Sequence, residues 1–76
     1  MIYHVTSFKK LQSYMQHGAI LPPVRAWRNI DAAQRFSAQT GRRINLRLKE
    51  DDTFRQLEGH RGEALVSDNI YRLEDM

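Results

Sequence analysis

The 76-residue chain contains no cysteine. That excludes a disulfide framework and a thiolate-bound zinc. No apolar run approaches the roughly 20 residues that cross a bilayer. The first ten residues, MIYHVTSFKK, are interrupted by Tyr3, His4, Thr6 and Ser7 before the apolar core of a secretory signal can form. These absences lead to the expectation of a cytoplasmic protein with no membrane partner. Glycine is scarce, at four residues, and none falls in a G-x-G-x-x-G or G-x-x-x-x-G-K-S/T phosphate loop. The three histidines, His4, His17 and His60, have no metal-ligand spacing. Ser7, Ser13, Ser37 and Ser67 lack a nucleophile elbow.

What remains is an ordinary globular mixture, 41% hydrophobic and 28% charged. It suits one small domain spanning residues 1–76, with limited burial and modest stability. The net charge is +3, and its distribution says more than its sign. Residues 1–22 carry Lys9 and Lys10 and no acid. Residues 23–49 carry Arg25, Arg28, Arg35, Arg42, Arg43, Arg47 and Lys49 against Asp31 alone. Residues 50–76 carry eight acids against Arg55, Arg61 and Arg72. Nine of the twelve cations are arginine, whose planar fork grips phosphate in two places. The basic block therefore either meets a phosphate-bearing ligand or pairs with the acidic end of its own chain.

Local pattern gives an α+β fold, a small and mainly antiparallel sheet with two helices in the order β-α-(β)-α-β-β-β. The helices are expected on one side of the sheet. IYHVT at 2–6 reads as a strand, being β-branched and aromatic. Thr6 or Ser7 caps a helix over 8–17, with Phe8, Leu11 and Met15 at helical spacing and Gly18 at its end. Residues 19–23 are extended ahead of the prolines, and 24–28 form a loop or short turn. Asn29 caps a second helix in which Ile30, Ala33 and Phe36 mark the buried face and Gly41 is the stop. Ile44, Leu46 and Leu48 alternate with Asn45, Arg47 and Lys49, a strand with one apolar and one basic face. Residues 50–62 read as a loop with a helical turn near 54–57. Residues 64–66 and 70–73 read as strands joined by a tight turn at Ser67-Asp68-Asn69.

Three segments have chemistry-bearing composition. His4, with Thr6 and Ser7 just after it, is a hydrogen-bonding cluster at a strand end. It suits either a ribose hydroxyl or acid–base work, or plain helix capping. Arg25-Ala26-Trp27-Arg28 places an aromatic between two guanidinium groups. It can stack a base and hold a phosphate, or it can close the core. Gly59-His60-Arg61-Gly62-Glu63 puts a carboxylate at a strand start. There it can steady a developing cation or remain a surface charge.

In order, these features resemble the ADP-ribosyltransferase-like fold, including its poly-ADP-ribose polymerase and RNA 2′-phosphotransferase relatives. IYHVTSFKKLQSYMQHGAILPP looks like its opening strand and helix, DAAQRFSAQTGRRINLRLKE like its A-x-x-F/Y-A helix and following strand, and EALVSDNIYRL like its late strands. The glycine that usually follows the family's His is Val5 here. The resemblance implies a split sheet with a cleft for NAD, the only cofactor suggested. His4 would contact the adenosine ribose, Thr6 would stand beside the nicotinamide pocket, and Glu63 would be the catalytic acid. Arg25 would join the cofactor-binding set. It implies either an enzyme, with His4 and Glu63 as its catalytic pair, or a reduced relative that binds without catalysis. Two readings of other classes stay open. One is a basic module binding RNA or DNA through Arg28, Arg35, Arg42, Arg43 and Arg47. The other is a protein-interaction module whose basic block meets an acidic surface.

Overall fold

A computed structural model of the chain describes residues 1–59 and 62–75. The chain runs β1 (Ile2–Thr6), α1 (Phe8–His17), β2 (Ala19–Ile20), β3 (Val24–Trp27), α2 (Ile30–Thr40), β4 (Ile44–Leu48), β5 (Arg55–Gln56), β6 (Ala64–Ser67) and β7 (Tyr71–Arg72), then a 3-10 turn at Leu73–Asp75. Five strands form an antiparallel sheet in the order β4-β1-β3-β6-β5, and β2 and β7 form a separate two-stranded ribbon. The fold is thus the α+β arrangement that the sequence leads one to expect.

Both helices begin and end for local reasons. The Ser7 hydroxyl accepts from the Lys10 N–H at 3.1 Å, and the Asn29 side chain accepts from the Ala32 N–H at 2.8 Å. Each supplies an acceptor to a donor that the helix leaves unpaired. Gly18 and Gly41 close the helices at φ 71° and 73°, a left-handed conformation that a side chain would disfavour.

The sheet's register sorts its residues into two faces. Ile2 pairs with Leu48 and Ala26 with Leu65, while Tyr3 pairs with both Arg47 and Trp27. Ile2, Leu48, Val24, Ala26 and Leu65 form the main core, completed by Ile20 and Tyr71 of the ribbon and by Tyr14, Leu46, Phe54 and Leu73. The Tyr71 hydroxyl accepts from the Lys49 N–H at 2.9 Å and ties the ribbon to the end of β4. The face carrying Tyr3 and Trp27 receives α2, through buried Ala32 and Ala33 and a Phe36 ring 5.3 Å from that of Trp27. The helices therefore do not share one side. Helix α2 covers one face, and α1 meets the other through Tyr14.

Several local readings change. Residues 24–27 are a central strand, because Val24 and Ala26 alternate inward with Arg25 outward and neighbours flank both edges. The helical turn expected at 54–57 is strand β5, paired to β6. Residues 71–72 pair with β2 instead of folding back on β6, so the turn at 67–69 leads out of the main sheet. Prolines 22 and 23 are joined by a cis peptide bond. Ile30 is 44% exposed, and Ala32 with Ala33 takes the buried position on α2. Phe8 and Met15 are 65% and 66% exposed, and α1 has no buried residue.

Candidate functional site

Strands β1 and β3 pair at one position, Tyr3 with Trp27, whereas β1 and β4 pair along their full length. Where the β1–β3 ladder stops, the His4 side chain takes over. Its Nδ1 bonds to the Arg25 carbonyl and its Nε2 to the Tyr14 hydroxyl at 3.0 Å. A carbonyl only accepts, so Nδ1 carries the proton, and in the neutral ring Nε2 must accept from the Tyr14 O–H. The Thr6 hydroxyl in turn donates to the Tyr14 oxygen at 3.5 Å. The result is a directed chain from Thr6 through Tyr14 and His4 to the β3 backbone. His4 is 7% exposed. Its pKa is held below the ordinary 6.5, chiefly because burial disfavours the cation, with Arg42 adding to the effect and the Arg25 carbonyl opposing it. The imidazole is accordingly neutral at pH 7, and it is this neutrality that leaves Nε2 to accept from the Tyr14 hydroxyl.

Beside this chain lies a cavity of about 510 Å³, within the range of small-ligand sites. Its floor includes His4 and Thr6, α1 contributes Lys10 and Tyr14, and the strands contribute Arg25 and Trp27. Phe36 and Arg42 come from α2 and the turn after it, the Arg42 guanidinium standing 5.8 Å from the Phe36 ring centre. Three cations line the cavity and none of its lining residues is acidic. Lys10, Arg25 and Arg42 are exposed, so the cavity is open to solvent. Its surface thus joins aromatic faces to fixed positive charge, a combination suited to an anion attached to a planar ring.

Glu63 occupies a different place. Its carboxylate receives the Arg35 guanidinium at 3.2 Å and the Asn29 amide at 3.5 Å, while its backbone carbonyl accepts from the Arg28 N–H at 2.7 Å. These contacts clip the start of β6 to the first turns of α2. Glu63 lines a smaller hollow of about 260 Å³, to which Trp27 and Phe36 also belong. His4, Thr6 and Arg25 are thus brought together in one cavity, and Glu63 stands in its neighbour, with Trp27 and Phe36 common to both walls. His60 and Arg61 lie outside the described residues.

The basic block divides the same way. Arg28 meets Glu50 at 3.6 Å and Arg35 meets Glu63, as pairing with the acidic end would have it. Arg55 and Arg72 also have acid partners, Asp68 and Glu74. Among the described residues Lys9, Lys10, Arg25, Arg42, Arg43, Arg47 and Lys49 form no ion pair. Arg43 and Arg47 are exposed, the latter on the face of β4 opposite Leu46 and Leu48.

Sequence reasoning missed Tyr14, Lys10 and Phe36 as parts of the site. A signal for the first two was present: Ser7, Lys10 and Tyr14 recur at i, i+3 and i+7, a polar stripe beside the apolar one. Comparison with protein-family models, curated proteins and solved structures finds no match for this chain.

Proposed function

We propose that this domain binds a nucleotide, or a related ligand joining phosphate to an aromatic ring, in the cavity beside His4. The observation that carries the reading is the cavity's lining, which places Lys10, Arg25 and Arg42 around Tyr14, Trp27 and Phe36 with no acid among them. Phosphate would meet the cations, and the ring would lie against the aromatic walls. The parting of β1 from β3 beside His4 supports a ligand there, as does the resemblance to the ADP-ribosyltransferase-like fold, which makes NAD the first ligand to try. The proposal is one of binding. A bond-breaking role for Glu63 is left out of it, because Arg35 and Asn29 hold its carboxylate in the neighbouring hollow.

The test is an amide NMR titration of the labelled protein with NAD, ADP and adenosine. NAD and ADP should move the signals of His4, Thr6, Lys10, Tyr14 and Arg42, and adenosine should bind at least about tenfold more weakly for want of phosphate. The chain's single tryptophan, Trp27, gives a second readout by fluorescence. Silence with all three ligands, or shifts centred on Glu63, would refute the assignment.

A further inference from the structure

We infer that the ligand is the phosphorylated end of a single-stranded nucleic acid, whose terminal nucleotide enters the cavity while the following phosphates cross its rim. The inference rests on the nucleotide-binding reading above and concerns what is attached to that nucleotide.

The first argument is the division of cations. The arginines with acid partners, Arg28, Arg35, Arg55 and Arg72, do not line the cavity. Lys10, Arg25 and Arg42 line it and have no acid partner among the described residues. Two further cations without an acid partner among the described residues stand next in the chain to two of these. Lys9 adjoins Lys10 on α1, and Arg43 adjoins Arg42 on the approach to β4. Both are exposed and neither lines the cavity. A free mononucleotide held inside needs no charge there, whereas a strand leaving the cavity carries one phosphate per nucleotide past that rim.

The second argument is size. About 510 Å³ admits one drug-sized molecule, hence a single nucleotide or a compact dinucleotide such as NAD, and not a longer run of nucleotides. An extended strand can therefore place only a short stretch in it, and its end does so with a single length of strand passing the rim. The aromatic lining is indifferent to base identity, since every base offers a π-face. Recognition by a stacking pocket and a positive rim would favour termini over sequence.

The experiment compares AMP with a short 5′-phosphorylated oligoadenylate, as RNA and as DNA, by fluorescence anisotropy and by competition. The oligonucleotide should bind about tenfold or more tightly than AMP, and AMP should displace it. Its affinity should also fall more steeply with salt, by roughly 0.7 of a logarithmic unit per decade of salt for each added phosphate contact on a single strand. The double variant Lys9→Ala/Arg43→Ala should bring the oligonucleotide down to the affinity of AMP and leave AMP itself within twofold. Both residues are exposed, and a circular dichroism melt checks that the variant folds. The RNA and DNA arms identify which strand is the ligand. Equal affinity for AMP and the oligonucleotide would overturn the inference and leave a free nucleotide as ligand. Oligonucleotide binding that AMP cannot displace would also overturn it, by placing the strand elsewhere. Absence of AMP binding alone would overturn this inference, and silence with NAD and ADP as well would remove the nucleotide-binding reading on which it rests.

Discussion

Replacing Tyr14 by Phe removes one oxygen atom and tests the hydrogen-bond chain at its centre. That oxygen donates to His4 Nε2 at 3.0 Å and accepts from the Thr6 hydroxyl at 3.5 Å. Helix α1 has no buried residue, so Tyr14 is its chief attachment to the core. Losing a neutral hydrogen bond costs about 1 kcal/mol, and leaving a buried acceptor such as Nε2 without a donor raises this to about 1–3 kcal/mol. The Thr6 contact is long and adds little. The phenyl ring keeps its packing, and the open cavity lets water reach part of the vacated site, so the lower half of that range applies. For a domain of this size each kcal/mol moves the melting temperature by about 4–8 °C. Tyr14→Phe should therefore lower Tm by about 5–15 °C in a circular dichroism melt, with an unchanged urea m-value. Thr6→Val should cost less, and the double variant should cost less than the two together, because they share one bond. A Tm within about 2 °C of the parent, for a protein of Tyr14→Phe, would show that the hydroxyl carries no stabilising bond, and the chain from Thr6 to Arg25 would have to be abandoned.

Other expectations follow from the same geometry. Because His4 has a folded pKa below 6.5, its contribution to stability is complete above pH 6.5. It is lost as the pH falls from 6.5 toward the folded pKa, where the unfolded chain takes up a proton that the folded one refuses. The slope is at most about 1.4 kcal/mol per pH unit. Urea midpoints at pH 7.5 and 5.5 measure this, and a His4→Gln variant with the same pH dependence as the parent would contradict it. Leu65→Ala, at a position 1% exposed in the centre of the core, should cost about 2–5 kcal/mol. That is a large share of the total stability, and a urea transition shifted only slightly would refute this placement of Leu65. Glu63→Gln breaks an exposed ion pair with Arg35, so it should cost less than about 1 kcal/mol and leave NAD affinity within twofold. A large loss of affinity by titration calorimetry would return Glu63 to the ligand site.

The elements whose causes are local can be read directly from the order of residues. The first strand and both helices stand where Ser7, Asn29, Gly18 and Gly41 put them, because a cap and a left-handed stop act within one turn of the chain. The alternation from Ile44 to Leu48 likewise carries its own period. Residues 24–27 were less legible, since four residues with an arginine among them become a strand only when β1 and β6 lie on either side. Strand β7 depended in the same way on finding β2, whose two residues announce nothing.

The site was legible in part. His4, Thr6 and Arg25 were identifiable as polar groups near the end of a strand, and they do meet in one cavity. That Glu63 stands apart from them, in a hollow of its own, was decided by the packing of α2 against Trp27 through Phe36. Which arginines pair with acids and which remain open to a ligand was decided at the same level, because the partners Glu50 and Glu63 come from distant parts of the chain. Tyr14 joined the site only because α1 turns its polar stripe, and not its Phe8–Met15 stripe, toward the sheet. Helical spacing fixes which residues share a face, but the neighbour that a face meets is set by the burial available to the whole chain.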